Sequence, residues 1–200
     1  MVRAEQNPAL GVRGLRTAVG RPEVLERQLV ALASAAARTG AQPWVMAPMV
    51  ATVAEAQWFA AQTRAAGLQT VGIMVEVPAA ALRARQLLAE VDFASLGTND
   101  LAQYALAADR QQGELGALLD PWQPAVVDLV AAACRGAEQT GRPIGVCGEA
   151  AADPALAAVL VGLGVRSLSM APSAVADVRA LLADTDLATC RKAADVMQEA

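Results

Sequence analysis

Five short apolar runs set the rhythm of this chain and limit what it can fold into. They are Trp44–Pro48, Val71–Val75, Phe93–Leu96, Ile144–Cys147 and Ser167–Met170. Each is bounded by Gly, Pro or polar residues, the pattern of strands buried in a parallel sheet. Stretches with readable helix ends lie between them. Thr52 and Glu55 have capping-box spacing before Ala56–Ala66, with Gly67 as the stop. Pro78 opens a helix expected over Ala79–Glu90, and Gly141 closes one over Ala125–Thr140. Asp153-Pro154 starts a helix that ends near Gly162, and Ser173 is placed to cap Ala174–Leu182. Before the first run, a helix is expected over Pro22–Arg38, ended by Gly40. A β-α-β-α order predicts an α/β fold with a parallel sheet, either doubly wound or part of a (β/α)8 barrel. No linker or compositional shift divides the 200 residues, so one domain over residues 1–200 is expected.

In both folds chemistry gathers just beyond the C-terminal ends of the strands. The second run ends in Glu76, the third in Gly97-Thr98-Asn99-Asp100, and the fourth in Cys147-Gly148-Glu149. Glu76 and Asp100 at adjacent strand ends can share one hard cation such as Mg²⁺. Gly97 and Thr98 precede a helix start whose amides can hold an anion. Taken singly, Glu76 could equally pair with an arginine, and Asp100 could merely cap a helix. Their meeting on one rim favours the chemical reading. Arg13 and Arg16 in the Gly-rich stretch Asn7–Arg16, and Arg110 ten residues past Asp100, can clamp phosphate or carboxylate. Cys147 reads two ways, as plain packing or as a thiol that protonates a carbanion. Cys134 and Cys190 fall in helix patterns and are expected to be structural.

Composition removes alternatives. The chain has no histidine, which excludes a Ser-His-Asp triad, a Cys-His dyad and His-ligated zinc. Lys192 is the only lysine and lies in a helix pattern, which disfavours a Schiff base or a Walker-type loop. A net charge of −4 argues against a nucleic-acid surface. No membrane span and no signal peptide are expected. Three widely spaced cysteines fit reduced thiols in the cytoplasm.

Several motifs resemble those of phosphoenolpyruvate-utilising enzymes. Gly72–Ala81 resembles their GIMxExPAAA motif, Asp92–Leu101 their DFFSIGTNDL signature, and Gly145–Glu149 their GMCGE motif. Asn7–Arg16 resembles NPxLGxRxxR, and Tyr104–Arg110 resembles YxLAxDR, as in the Enzyme I branch of bacterial sugar phosphotransferase systems. The motifs keep their order from Asn7 to the C-terminal helices. The resemblance implies a phosphoenolpyruvate-binding (β/α)8 TIM-barrel type, here a partial barrel of about five parallel strands. It implies Mg²⁺ on Glu76 and Asp100, and phosphate on Arg13 and Arg110 with Thr98, Asn99 and nearby amides assisting. It also implies a Cys147 that protonates the pyruvate enolate.

By the same resemblance, phosphoenolpyruvate would phosphorylate a histidine on a separate phosphohistidine domain, leaving pyruvate. Through that domain it would serve the histidine-containing phosphocarrier protein of sugar uptake. The first three barrel strands, two further arginines and the histidine domain of the family have no counterpart here, so the chain alone is not expected to complete a cycle. Asp120-Pro121-Trp122-Gln123-Pro124 replaces a DPLHP-like stretch, outside the expected ligand shell. A homodimer is expected, both from the resemblance and because an unclosed barrel leaves two strand edges. Two alternatives are the matching domain of pyruvate phosphate dikinase or phosphoenolpyruvate synthase, and a non-catalytic sensing or inert module.

Overall fold

A computed structural model describes residues 5–199. It contains five strands, β1 (Trp44–Ala47), β2 (Thr70–Val75), β3 (Phe93–Gly97), β4 (Ile144–Cys147) and β5 (Ser167–Ser169). The helices before β3 are α1 (Leu15–Gly20), α2 (Pro22–Thr39), α3 (Val53–Ala65), α4 (Pro78–Leu82) and α5 (Ala84–Leu88). Those after it are α6 (Thr98–Ala105), α7 (Pro124–Thr140), α8 (Glu149–Ala152), α9 (Pro154–Gly162), α10 (Val175–Ala183) and α11 (Leu187–Glu199). All strand pairs are parallel, and the spatial order is β1-β2-β3-β4-β5. A doubly wound sheet reverses its strand order at a switch point, and this one does not. The sheet is therefore an arc of a barrel, with β1 and β5 as the edge strands among the described residues.

Several of the expected helix signals act at their own positions. Thr52 Oγ1 accepts from the Glu55 amide at 3.2 Å, and Glu55 Oε2 accepts from the Thr52 amide at 2.9 Å, completing the capping box of α3. Asp153 Oδ1 accepts from the amides of Ala155 and Leu156 and caps α9. Its Oδ2 accepts from the Trp122 indole at 2.8 Å, which gives the altered Asp120–Pro124 stretch a structural use. Gly40 and Gly141 end α2 and α7 in the left-handed conformation.

Two helix expectations are corrected. The stretch Ala79–Glu90 is not one helix, because Arg83 leaves helical geometry and separates α4 from α5. Gly136 of α7 packs closely on this junction, and a Cβ there would lie 2.5 Å from the Arg85 amide nitrogen. Ser173 does not cap a helix. It lies within a 3₁₀ turn over Pro172–Ala174 that leads into α10.

The two faces of the sheet differ in what covers them. Val71, Ile73, Val75, Ala94, Leu96, Ile144 and Val146 point to the helices and are buried. The other face carries Trp44, Met46, Met74, Phe93, Ser95 and Cys147, which are half-buried or exposed. Trp44 packs on Phe93 with ring centroids 4.9 Å apart, yet is 64% exposed. The sequence suggested strands covered on both faces. With five strands the arc does not close over its own concave face. None of the described helices is long and apolar enough to cross a membrane.

Substituting Gly136→Ala should destabilise the fold by about 1–3 kcal/mol, because the added methyl meets backbone rather than a movable side chain. Urea unfolding is the check, and an unchanged midpoint would contradict the packing described.

Candidate functional site

Glu76 follows β2 directly and is only 4% exposed. Its Oε1 accepts from the Met49 amide at 2.7 Å. Met49 reaches that position with φ +60, a left-handed conformation unusual for a non-glycine residue. Gly14 lies against this turn. A Cβ there would sit 2.6 Å from Met49 Cβ and 2.9 Å from the Pro48 carbonyl oxygen. Gly97 lies on the other side, where a Cβ would be 2.8 Å from Glu76 Oε2. Burial pushes the Glu76 carboxyl above its usual range. The Met49 hydrogen bond opposes this, Asp100 adds to it, and Arg13 and Arg110 oppose it.

Asp100 lies in the first turn of α6 and is held by arginines from both sides. Arg13 Nη2 donates to Oδ1 at 3.3 Å, and Arg110 Nη1 lies 3.5 Å from Oδ2. The two arginine side chains are 32% and 48% exposed, so the pairs add at most about 1 kcal/mol each. Their effect is geometric, since two cations are fixed around a carboxylate beside a second, buried one. Arg16 goes elsewhere, its Nε lying 3.5 Å from Glu55 Oε1.

Gly97 ends β3 and Thr98 begins α6. Thr98 Oγ1 donates to the Cys147 carbonyl at 3.2 Å, and Cys147 Sγ lies 3.4 Å from the Leu96 carbonyl oxygen. Gly148 adopts φ +98, and a Cβ there would be 3.0 Å from Asn99 Oδ1. Glu76, Thr98, Asn99, Asp100 and Cys147 thus share the C-terminal rim with Arg13 and Arg110. Cys134 and Cys190 are buried away from it, and burial pushes the Cys134 thiol up to about 12.

Three contributors were not picked out from the sequence as site residues. Met49 supplies the amide to Glu76. Gln103, 6% exposed, accepts the Arg110 amide on Oε1 at 3.1 Å. Tyr104 donates its hydroxyl to the Ala9 carbonyl and lies 3.8 Å from Met49 Sδ. Burial raises the Tyr104 hydroxyl above its ordinary value, which keeps it a donor. The available signal for Tyr104 was its place at the start of the Tyr104–Arg110 motif, and nothing in the local sequence marks Gln103.

Among the described residues no group of three or more Cys, Asp or Glu gathers as a ready cation cage. Glu76 and Asp100 offer hard carboxylate oxygens from adjacent strand ends. That donor set fits a magnesium-like ion, which uses few protein ligands and completes its shell with water and ligand oxygens.

Comparison with known proteins shows the family. The profile of the PEP-utilising enzyme, PEP-binding domain matches residues 1–187. The chain belongs to the PEP-utilising enzymes. It is 59% identical over 191 residues to a phosphoenolpyruvate-protein phosphotransferase of Streptomyces coelicolor, covering 95% of this chain and 34% of that protein. It is 45% identical to a multiphosphoryl transfer protein of Xanthomonas campestris (96% and 23% covered). A phosphoenolpyruvate-protein phosphotransferase of Haloferax volcanii is 44% identical (98% and 37% covered). The chain therefore spans about a quarter to a third of the length of these relatives. Among solved structures, a citrate lyase from Burkholderia xenovorans LB400 shares the fold, with a TM-score of 0.53 at 16% identity. That match covers 78% of this chain and 62% of the other, and supports a partial barrel.

In this PEP-binding domain the raised Glu76 pKa has a consequence for stability. The folded carboxyl holds its proton to higher pH than the unfolded chain does, so folding takes up a proton. The metal-free contribution of Glu76 is therefore most favourable below its ordinary 4.5 and declines as pH rises through the folded value. Glu76→Gln should melt higher than wild type at pH 7–8 without metal, with the gap closing at pH 4. Scanning calorimetry across pH is the check, and a constant gap would contradict it.

Proposed function

We propose that this chain is the phosphoenolpyruvate- and Mg²⁺-binding part of a phosphoenolpyruvate-protein phosphotransferase of the Enzyme I type. The observation that carries this reading is Asp100 bracketed by Arg13 and Arg110 beside buried Glu76, on the C-terminal rim of a PEP-binding domain. Arg13 and Arg110 would take the phosphate, with Thr98, Asn99 and the first amides of α6 assisting. Glu76 and Asp100 would hold Mg²⁺, which when bound neutralises charge on the phosphoryl and carboxylate oxygens.

In the reaction, the bridging P–O bond of phosphoenolpyruvate breaks and a P–N bond forms to a histidine. The enolate left behind takes a proton at its methylene carbon and becomes pyruvate. Cys147, on the same rim, would supply that proton. The chain contains no histidine, so the acceptor belongs to a separate phosphohistidine domain that passes the group to the histidine-containing phosphocarrier protein of sugar uptake. A cytoplasmic homodimer completes the proposal.

Titration calorimetry with phosphoenolpyruvate in millimolar Mg²⁺ tests the reading. Wild type should bind. Arg13→Ala and Asp100→Asn should each weaken binding at least about ten-fold, the effect of 1.4 kcal/mol. Cys147→Ser should stay within about two-fold, because the thiol is assigned to proton transfer rather than to binding. Absence of wild-type binding, or steady pyruvate release with no histidine domain added, would contradict the proposal.

A further inference from the structure

The two arginines that pair with Asp100 reach different carboxylate oxygens from different segments of the chain, and neither is placed by its own secondary structure. Arg13 lies in the irregular stretch between the 3₁₀ turn Pro8–Leu10 and α1. Arg110 lies beyond the end of α6, in the segment before the 3₁₀ stretch Gly113–Leu119. Something else must hold both segments, and α6 does so with two consecutive side chains.

We infer that Gln103 and Tyr104 are positioning residues that fix Arg110 and Arg13 around Asp100, and so set the affinity of the rim for a phosphate-bearing ligand. The ligand class rests on the function proposed above. Gln103 closes the far end of α6 twice. Its carbonyl accepts from the Ala108 amide at 3.0 Å, and its side-chain Oε1 accepts from the Arg110 amide at 3.1 Å. Between these contacts Ala107 takes φ +51, which turns the chain back. The Arg110 guanidinium can then return along the helix to Asp100 Oδ2. An amide side chain that is 6% exposed is held in place by its neighbours, so its contact is directional rather than adaptable.

Tyr104 performs the matching task on the other arm. Its hydroxyl donates to the Ala9 carbonyl, which tethers the Pro8–Leu10 turn four residues before Arg13. The same hydroxyl lies against Met49 Sδ, and the Met49 amide feeds Glu76. One helix therefore presents Asp100 at its start and anchors both arginine segments at its end. Neither Gln103 nor Tyr104 needs to touch a ligand to control it.

The test uses Gln103→Met and Tyr104→Phe, each alone and with the arginine it is argued to serve. Each should weaken phosphoenolpyruvate binding about ten-fold, the upper range for one lost hydrogen bond. Mg²⁺ binding without phosphoenolpyruvate should change less than about two-fold, since Glu76 and Asp100 remain. In an Arg110→Ala background Gln103→Met should cost less than about two-fold more, and likewise Tyr104→Phe in Arg13→Ala. A merely structural role would weaken Mg²⁺ and phosphoenolpyruvate binding together, or add fully to the arginine variants; either result overturns the inference. The Arg110 amide should also exchange with solvent at least about ten-fold faster in Gln103→Met. Equal exchange in both proteins overturns the Gln103 contact. Because this readout needs no ligand, a wild-type chain that ignores phosphoenolpyruvate would count against the proposed function alone.

Discussion

The site depends on Asp100 lying between two arginines that are distant from each other in sequence. A carboxylate beside the buried Glu76 would be repelled, and the like charge contributes to the raised Glu76 pKa. Arg13 and Arg110 offset that repulsion and let two acidic groups stand on neighbouring strand ends. As stability elements the pairs are weak, because both arginines are substantially exposed. As architecture they are decisive, because they join the N-terminal arm, the start of α6 and the segment beyond α6 at one place. Under the proposed function, the same two cations would receive the phosphate.

The parallel arc makes this convergence possible. In-order pairing from β1 to β5 brings every strand's C-terminal end to the same rim. Residues separated by tens of positions then become neighbours without long loops. Close packing at Gly14 and Gly97 leaves room for the Met49 amide and the Glu76 carboxylate to meet. The opposite consequence is a concave face left partly open, with Trp44 and Phe93 packed at a tilt at the start of β1 and β3.

Much of this was legible in the sequence, for local reasons. Caps, stops and strand runs are decided by a few adjacent residues, so Thr52–Glu55, Asp153-Pro154 and the five strands lie close to where their patterns put them. The grouping of Glu76, Asp100 and Cys147 followed from the rule about strand ends, once the β-α order was read. What escaped depends on contacts across the fold. The break at Arg83 lies where Gly136 of another helix packs against the backbone. The left-handed turn at Met49 comes from what packs around it, since its residue type disfavours that conformation. Gln103 and Tyr104 look like ordinary helix residues until the segments they hold are seen beside them. Arg16 was a fair candidate from its spacing, but the Glu55 carboxylate of the capping box claims it.

The most direct measurement of the account is a crystal structure of the chain with phosphoenolpyruvate and Mn²⁺ in place of Mg²⁺, using anomalous scattering to find the metal. The account predicts one strong peak between Glu76 and Asp100, with the phosphate against Arg13 and Arg110. A metal peak away from these carboxylates, or a phosphate bound elsewhere on the molecule, would contradict it.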